Sequence, residues 1–128
     1  MVILSPGSLF TSTIPALLGA GVKEALASFT GPVVYAANAM TQPGETVGFA
    51  LSDHLKALTD HVGPVVTDVL VHSGSLPEEL VARYEAEGAA PVEVARVAGS
   101  RPPDAERWVE TARVVIRSWN RKAIAATR

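Results

Sequence analysis

Met1-Val2-Ile3-Leu4-Ser5-Pro6-Gly7-Ser8-Leu9-Phe10-Thr11-Ser12 opens the chain and sets the fold that follows. The apolar residues 2–4 predict a buried strand, Pro6-Gly7 a tight turn, and Ser8 the start of a helix. A strand that turns directly into a helix presents free backbone N–H groups, which suit an anion. We therefore predict a phosphate-binding turn, with the alternative that Ser8 only caps the helix and Gly7 only forms the turn.

Strands and helices alternate along the rest of the chain. Pro15 suits the first turn of a helix, and Gly19-Ala20-Gly21 predicts a break in it. The segment 32–38 is apolar throughout, which is typical of a strand buried on both faces. Strands are predicted at 2–4, 32–38, 65–72 and 91–94, and helices at 8–13, from Pro15, 22–29, 51–61 and from Pro77 to Gly88. This alternation predicts an α/β fold with a parallel sheet of about four strands.

The C-terminal part is predicted to be separate from this sheet. Residues 1–97 form the predicted α/β domain, 98–103 a linker, and 104–128 an amphipathic helix. Trp108 and Trp119 fall on its apolar stripe, and arginines spaced by four form another face. We interpret this helix as docked through its tryptophans with a solvated basic face, or as a surface for self-association.

Composition excludes several classes of protein. Of 128 residues, 48% are hydrophobic and none is cysteine, which predicts a globular, cytoplasmic protein without disulfides. No apolar run approaches the ~18 residues of a membrane span. Residues 1–100 carry ten acidic and four basic side chains, which argues against a nucleic-acid surface. The exposed edge of the predicted sheet requires a covering partner.

The sequence contains no recognisable catalytic or metal-binding motif. A glycine-rich dinucleotide fingerprint, a P-loop lysine and a nucleophile elbow are all missing near Ser8, so we predict no catalytic residue. His54 and His61 lie seven residues apart and are interpreted as solvated, so no metal site is predicted. Asp53 is a candidate for loop-ordering hydrogen bonds, and Leu80, Val81 and Tyr84 are expected to face inward.

The long polar loop 39–49 follows the second predicted strand. It contains two glycines and a proline, and such loops at the carboxyl ends of strands commonly carry ligand contacts. Asn38, at the end of that strand, has an amide that could hold a loop or contact a base.

Three stretches together resemble a known family. Pro6-Gly7-Ser8-Leu9-Phe10-Thr11-Ser12, Asn38-Ala39-Met40-Thr41-Gln42-Pro43-Gly44-Glu45-Thr46 and Asp53-His54 resemble the carboxyl-terminal half of gluconeogenesis factors of the YvcK type, relatives of the CofD 2-phospho-L-lactate transferases. The resemblance covers about residues 1–95. It implies a Rossmann-like α/β fold.

The resemblance also implies a function. Proteins of this type bind a nucleotide-sugar such as UDP-N-acetylglucosamine and regulate carbon metabolism and cell shape in the cytoplasm. By position, it implies ligand contacts from Gly7, Ser8, Thr11, Ser12, Asn38, Thr41, Gln42, Gly44, Glu45 and Thr46. No cofactor other than this nucleotide or nucleotide-sugar ligand is expected.

The family pattern includes a glycine-rich first half that is not in this sequence. We expect this missing N-terminal half, or a second copy of the chain, to be the partner at the sheet edge. Ser5 and Ala16 replace a glycine and an asparagine that are usual in the family. The enzymatic alternative is a phosphotransferase of the CofD type, which uses a nucleotide-activated phospholactate, a deazaflavin acceptor and a metal. The remaining alternative is a remnant that binds no ligand and only self-associates.

Overall fold

The structure, a computed structural model, describes residues 1–72 and 75–94, together with the backbone of 113–116. Its first three strands, β1 (Val2–Leu4), β2 (Val33–Ala36) and β3 (Asp68–Val71), lie side by side in chain order and run parallel. Leu4 pairs with Tyr35, and Tyr35 pairs with Val69. The predicted α/β fold with a parallel sheet is confirmed.

The helices begin and end near the prolines and glycines of the sequence. A short π-helix, Leu9–Thr13, continues into α1 (Ile14–Leu17), and α2 (Val22–Ser28), α3 (Leu51–Val62) and α4 (Glu78–Ala86) follow. Gly21 separates α1 from α2 with a φ of 78°, a conformation that glycine adopts readily. The predicted break is therefore confirmed. None of the described helices is long and apolar enough to cross a membrane.

One face of the sheet carries the hydrophobic core. Leu4, Tyr35 and Val69 are paired across the three strands and buried, and residues from the helices pack into the same cluster. The helical members of this cluster are Leu9, Ile14, Leu17, Leu26, Leu51, Leu58 and Val62. Burial raises the pKa of the Tyr35 phenol well above its usual value, since the charged form is poorly solvated there.

The opposite face of the sheet is incompletely covered within the described residues. Ile3 and its neighbour Val34 are paired on this face, where Ile3 is 59% exposed and Val34 half-buried. The prediction that residues 2–4 form a buried strand is therefore wrong for Ile3. The physical reason is register, because alternate side chains point to opposite faces and the core packs on the Leu4 side.

Residues 91–94 do not form the predicted strand. Pro91 makes a single antiparallel bridge with Met40, and the Val92 amide donates to the Ala39 carbonyl oxygen at 2.9 Å. Proline lacks the backbone N–H that a central strand needs. The segment consequently binds the start of the 39–49 loop instead of the sheet.

The backbone of Arg113–Ile116 is a short strand, β4, recorded parallel to β3. The sequence predicted a helix through these residues, so that prediction is wrong for this stretch. Val114, Val115 and Ile116 are all β-branched, which favours a strand over the helix suggested by the tryptophan spacing. The linker 98–103, and the predicted helix on both sides of β4, lie outside the described residues.

Helix α4 presents two apolar side chains to solvent. Leu80 is 43% and Tyr84 42% exposed, while Val81 is half-buried. The expectation that all three face inward is correct only for Val81. Leu80 and Tyr84 are four residues apart and share a helix face, whereas Val81 lies on the neighbouring face.

Candidate functional site

The turn after β1 leads directly into the π-helix. Ser8 is its N-cap, because its Oγ accepts a hydrogen bond from the Thr11 amide at 3.2 Å. The Ser8 carbonyl oxygen accepts from the Ser12 amide at 3.1 Å and from the Thr13 amide at 2.9 Å. The capping role of Ser8 is therefore established in the structure. A π-helical turn of this kind is rare and is often found at functional sites.

Asn38 fixes the backbone of this turn. The Gly7 amide donates to Asn38 Oδ1 at 3.1 Å, and Asn38 Nδ2 donates to the Gly7 carbonyl oxygen at 2.8 Å. Of the two roles considered for Asn38, the structure shows that of holding a loop. A Cβ placed on Gly7 would lie 3.7 Å from Thr13 Oγ1, an ordinary contact, so the turn itself does not require glycine.

The carboxylate of Glu45 accepts hydrogen bonds from the groups at the helix start that the sequence predicted would bind an anion. Its Oε1 accepts from Ser8 Oγ at 2.5 Å, from the Phe10 amide at 2.9 Å and from the Thr11 amide at 3.1 Å. Ser8 Oγ also forms a hydrogen bond with Thr11 Oγ1. Glu45 Oε2 is buried and has no hydrogen-bond partner among the described residues. Three donors thus converge on one carboxylate oxygen at the start of a helix.

A local turn places Glu45 at this position. The amides of Glu45 and Thr46 both donate to the Gln42 carbonyl oxygen, at 3.2 Å and 2.9 Å. Gly44 has a φ of 74°, which strains any other residue. The Gln42 amide donates in return to Thr46 Oγ1 at 2.8 Å, so the turn is closed from both ends.

The predicted ligand residues fall into three groups. Gly7, Ser8, Thr11, Asn38 and Glu45 lie in one connected set of hydrogen bonds. Thr41 and Thr46 are buried and hold the loop, Thr41 through a 2.8 Å bond that its Oγ1 accepts from the Ala90 amide. Ser12, Gln42 and Gly44 are exposed beside the first group. Ligand contact by these residues stays a prediction.

Four aromatic rings that the sequence did not assign to the site form a cluster where the π-helix meets α3. The Phe10 ring meets the Phe49 ring edge to face at a centroid distance of 6.1 Å and the His61 ring at 6.2 Å. Phe49 also meets His54, at 5.6 Å. This cluster joins the π-helix, the end of the 39–49 loop and α3, and so fixes the position of the Glu45 turn relative to Phe10.

His54 is buried, with 1% of its surface exposed, so its interpretation as a solvated residue is wrong. Leu51, His54 and Leu58 share one face of α3 at the spacing of a helical stripe, and that face enters the core. His54 Nδ1 lies 3.0 Å from the Ala50 carbonyl oxygen and therefore carries the proton. His61 is exposed, as expected.

Asp53 orders the start of α3. Its Oδ2 accepts from the Ala50 amide at 2.8 Å, which is the loop-ordering role considered for it. Among residues 1–72 and 75–94, no three His, Asp or Glu side chains converge as metal ligands. A site with three protein ligands is thus missing from this part of the chain, and no chemical step is assigned to a metal.

Comparison with known proteins identifies relatives of this unit. The gluconeogenesis factor of Halalkalibacterium halodurans is 45% identical over 93 residues, and that of Bacillus subtilis 43% identical over 94 residues. These alignments cover 72% and 73% of this chain. A crystal structure of a UPF0052 family member from Bacillus halodurans matches with a TM-score of 0.76 at 37% identity, over 91% of this chain.

The relatives are much longer than the matching unit. The chain spans 29% and 30% of the lengths of the two gluconeogenesis factors and 35% of the crystallised protein. The family model described as 2-phospho-L-lactate transferase CofD matches residues 1–107, which is most of the sequence. With its α/β fold and its likeness to the gluconeogenesis factors, the chain belongs to the CofD family.

Proposed function

We propose that the Gly7–Ser12 segment and the Asn38–Thr46 loop form one wall of a nucleotide-sugar site in a cytoplasmic regulator of carbon metabolism and cell shape. The expected ligand class is that of UDP-N-acetylglucosamine. The names of the relatives, gluconeogenesis factors, support the metabolic role. The observation that carries the proposal is the convergence of the Ser8 hydroxyl and the Phe10 and Thr11 amides on a single oxygen.

The phosphate of the ligand would use these three donors. A phosphate oxygen and a carboxylate oxygen both accept hydrogen bonds from the free backbone amides at the start of a helix. Glu45 makes no ion pair with any described residue, so it competes with the ligand as an anion. Binding therefore requires the Glu45 carboxylate to move off Phe10 and Thr11.

A titration with UDP-N-acetylglucosamine tests this proposal on the full chain. We expect a concentration-dependent rise in melting temperature, together with amide chemical-shift changes at Gly7–Ser12 and Gly44–Thr46. If the ligand changes neither the melting temperature nor these amides, the binding proposal fails. The alternative of a remnant without ligand would then be favoured.

Two variants separate ligand contact from capping. Glu45→Gln removes the competing charge and is expected to raise the affinity for UDP-N-acetylglucosamine, whereas Ser8→Ala removes a donor and lowers it. Ser28→Ala is the matched control, because Ser28 Oγ donates only to the Ala25 carbonyl oxygen on α2. An affinity that Ser8→Ala leaves at the value of the control would mean that Ser8 serves only as a cap.

Further polypeptide is proposed to cover the open face of the sheet. The exposed Ile3 supports this, as does the share of its relatives that the chain spans. The proposed partner is the glycine-rich N-terminal half of the family domain, with a second copy of this chain as the alternative. Sedimentation of the full chain and of Ile3→Lys distinguishes them. A dimer that the variant dissociates favours the second copy, and a monomer in both cases contradicts it.

A second candidate is transferase activity, which the description of the matching family favours. The substrate class would be a nucleotide-activated phospholactate with a deazaflavin acceptor. Phosphorus NMR of this mixture with the full chain tests the candidate. Consumption of the activated phospholactate would establish it, and an unchanged spectrum in the presence of divalent metal would exclude it for this chain.

A further inference from the structure

Helix α4 exposes an apolar face that the described residues leave uncovered. None of its nine residues is buried, and only Val81 is half-buried. Leu80 and Tyr84 are exposed and share one side of the helix, which we call the α4 face. A helix this short is marginal in water and is normally held by a buried apolar stripe. The α4 face is therefore suited to a partner that would bury it.

The inner side of α4 offers the helix limited packing. Val81 borders a cavity of about 280 Å³ at the carboxyl ends of β2 and β3. Ala37, Asn38, Ala39 and His72 also line this cavity. Since Val81 borders open space instead of a filled core, further burial of α4 is available mainly at the α4 face.

The charge of α4 restricts what can cover it. Residues 78–87 hold four glutamates and one basic side chain, Arg83. Glu87 follows Leu80 by seven residues and so lies close to the α4 face. No described residue forms an ion pair with these glutamates. A second copy of α4 would be repelled by this charge, whereas a segment with apolar and basic side chains would be attracted.

Such a segment occurs in the chain itself. Residues 117–128, which lie outside the described part, contain Trp119 and Ile124 together with four basic side chains and no acidic one. The other tryptophan, Trp108, lies within residues 101–112, where three acidic side chains outnumber two basic ones. Charge complementarity therefore favours the Trp119 segment over the Trp108 segment.

The position of β4 brings residues 117–128 within reach of α4. Ile116, the last residue of β4, is paired with Val71 at the end of β3. The segment thus starts about 5 Å from the chain that leads to α4, and Leu80 follows Val71 by only nine residues. Twelve residues span about 40 Å when extended and about 18 Å as a helix, and α4 is only ~14 Å long.

We infer that residues 117–128 dock on the α4 face, with Trp119 against Leu80 and Tyr84 and the basic side chains near the glutamates of α4. A tryptophan ring supplies the large apolar area that these two exposed side chains need. The inference goes beyond the proposed nucleotide-sugar site and does not rest on it.

A spin label on the segment tests the docking in the full chain. The sequence has no cysteine, so Ala125→Cys provides a single position for a nitroxide, nine residues beyond Ile116. We expect the label to broaden the NMR amide signals of Leu80 and Tyr84. Sharp signals along α4 overturn the inference. Broadening at Ile3 and Val34 instead would mean that the segment covers the open face of the sheet, which also overturns it.

A mixed sample distinguishes docking within one chain from docking between two copies. Spin-labelled chain without ¹⁵N is mixed with ¹⁵N-labelled chain that carries no nitroxide. We expect the α4 signals to stay sharp in this mixture. Broadening of these signals would show that the segment docks on a second copy, which contradicts docking within the chain.

Two sets of variants test the apolar contact from each side. Leu80→Ser combined with Tyr84→Ser is expected to abolish the broadening along α4. Leu18→Ser, which alters an exposed leucine at the end of α1, is the matched control and should keep it. If the double variant loses α4, Trp119→Ser still decides the matter, because it removes the contact without changing α4. Broadening that survives in Trp119→Ser contradicts the inference.

A charge reversal tests the complementarity. Arg121→Glu combined with Lys122→Glu removes the net positive charge of residues 117–128 and is expected to lose most of the broadening. Arg121→Lys combined with Lys122→Arg keeps the charge and is expected to keep the broadening. Equal broadening in these two chains would show that charge does not select this segment for α4.

Discussion

Asn38 holds Gly7 by both of its backbone polar groups. The Gly7 amide donates to Asn38 Oδ1 at 3.1 Å, and Asn38 Nδ2 donates to the Gly7 carbonyl oxygen at 2.8 Å. The two residues are 31 positions apart in the chain, and each follows the end of a strand of the β1–β2 pair. This contact therefore fixes the first turn to the neighbouring strand and links the anion-binding donors to the cavity at the sheet end.

Asn38→Ala is expected to destabilise the chain. The substitution leaves the Gly7 N–H and C=O without their partner in a half-buried place, which costs about 1–3 kcal/mol. Urea unfolding followed by circular dichroism measures the loss. Gln42→Ala is the control, since the exposed Gln42 side chain should change stability by no more than about 0.5 kcal/mol. A loss for Asn38→Ala no larger than that of the control would show that the double hydrogen bond contributes nothing.

Glu45→Ala is expected to loosen the π-helix. Removing the carboxylate leaves the Phe10 and Thr11 amides without their acceptor, so their hydrogen exchange should accelerate. We expect stability to fall by about 1–2 kcal/mol, which is modest because these amides lie near the surface. Glu85→Ala, at an exposed position of α4, should change neither quantity. Unchanged exchange at Phe10 and Thr11 would mean that Glu45 does not hold them in solution.

Thr46→Val tests the internal closure of the Gln42–Thr46 turn. Valine keeps the shape of threonine but cannot accept the 2.8 Å bond from the Gln42 amide in this buried place, so we expect a loss of about 1–3 kcal/mol. The control is Thr30→Val at an exposed position, which should be nearly neutral. Since Thr46 is buried, we assign it the role of holding the loop. That role is contradicted if Thr46→Val lowers the affinity for UDP-N-acetylglucosamine by more than the loss of folded protein explains.

Tyr35 gives the stability of the chain a pH dependence in the alkaline range. Its folded pKa is raised by burial, so above about pH 10 the unfolded chain loses the phenol proton while the folded chain keeps it. The stability that this group contributes is complete below the unfolded pKa and falls by up to about 1.4 kcal/mol per pH unit above it. Urea unfolding between pH 8 and about 11 measures the slope.

Tyr35→Phe is expected to reduce that alkaline slope, whereas Tyr84→Phe, on the exposed side of α4, should leave it in place. Equal slopes for the original chain and Tyr35→Phe would contradict the role of the buried phenol. The comparison of slopes, and not of absolute stabilities, isolates Tyr35 from lysines that titrate in the same range.

Much of the fold could be predicted from local signals. Apolar runs indicated β1, β2 and β3. The break at Gly21 and the end of α3 at Gly63 follow from positive φ angles, which glycine adopts at little energetic cost. The prediction failed at residues 91–94 and at Arg113–Ile116. In both places short apolar segments suit more than one structure, and partners distant in the sequence decide between them.

The candidate site could be predicted only as two segments. Strand ends and the small-residue turn indicated Gly7–Ser12 and the 39–49 loop. Neither signal showed that the Glu45 carboxylate would accept hydrogen bonds from the Phe10 and Thr11 amides. Nor did they indicate the buried His54 or the cavity beside His72. The small residues Ala37 and Ala39, just after β2, were the one local signal for that cavity.

By itself, the sequence determined the order of strands and helices and the two loops that meet at the sheet end, because these depend on residues close in the chain. Only the tertiary structure decided which donor meets which acceptor. Glu45 reaches Thr11 across 34 positions, and Asn38 reaches Gly7 across 31. Such pairs form because parallel strands bring their carboxyl ends together. No local sequence pattern indicates which groups then form hydrogen bonds with one another.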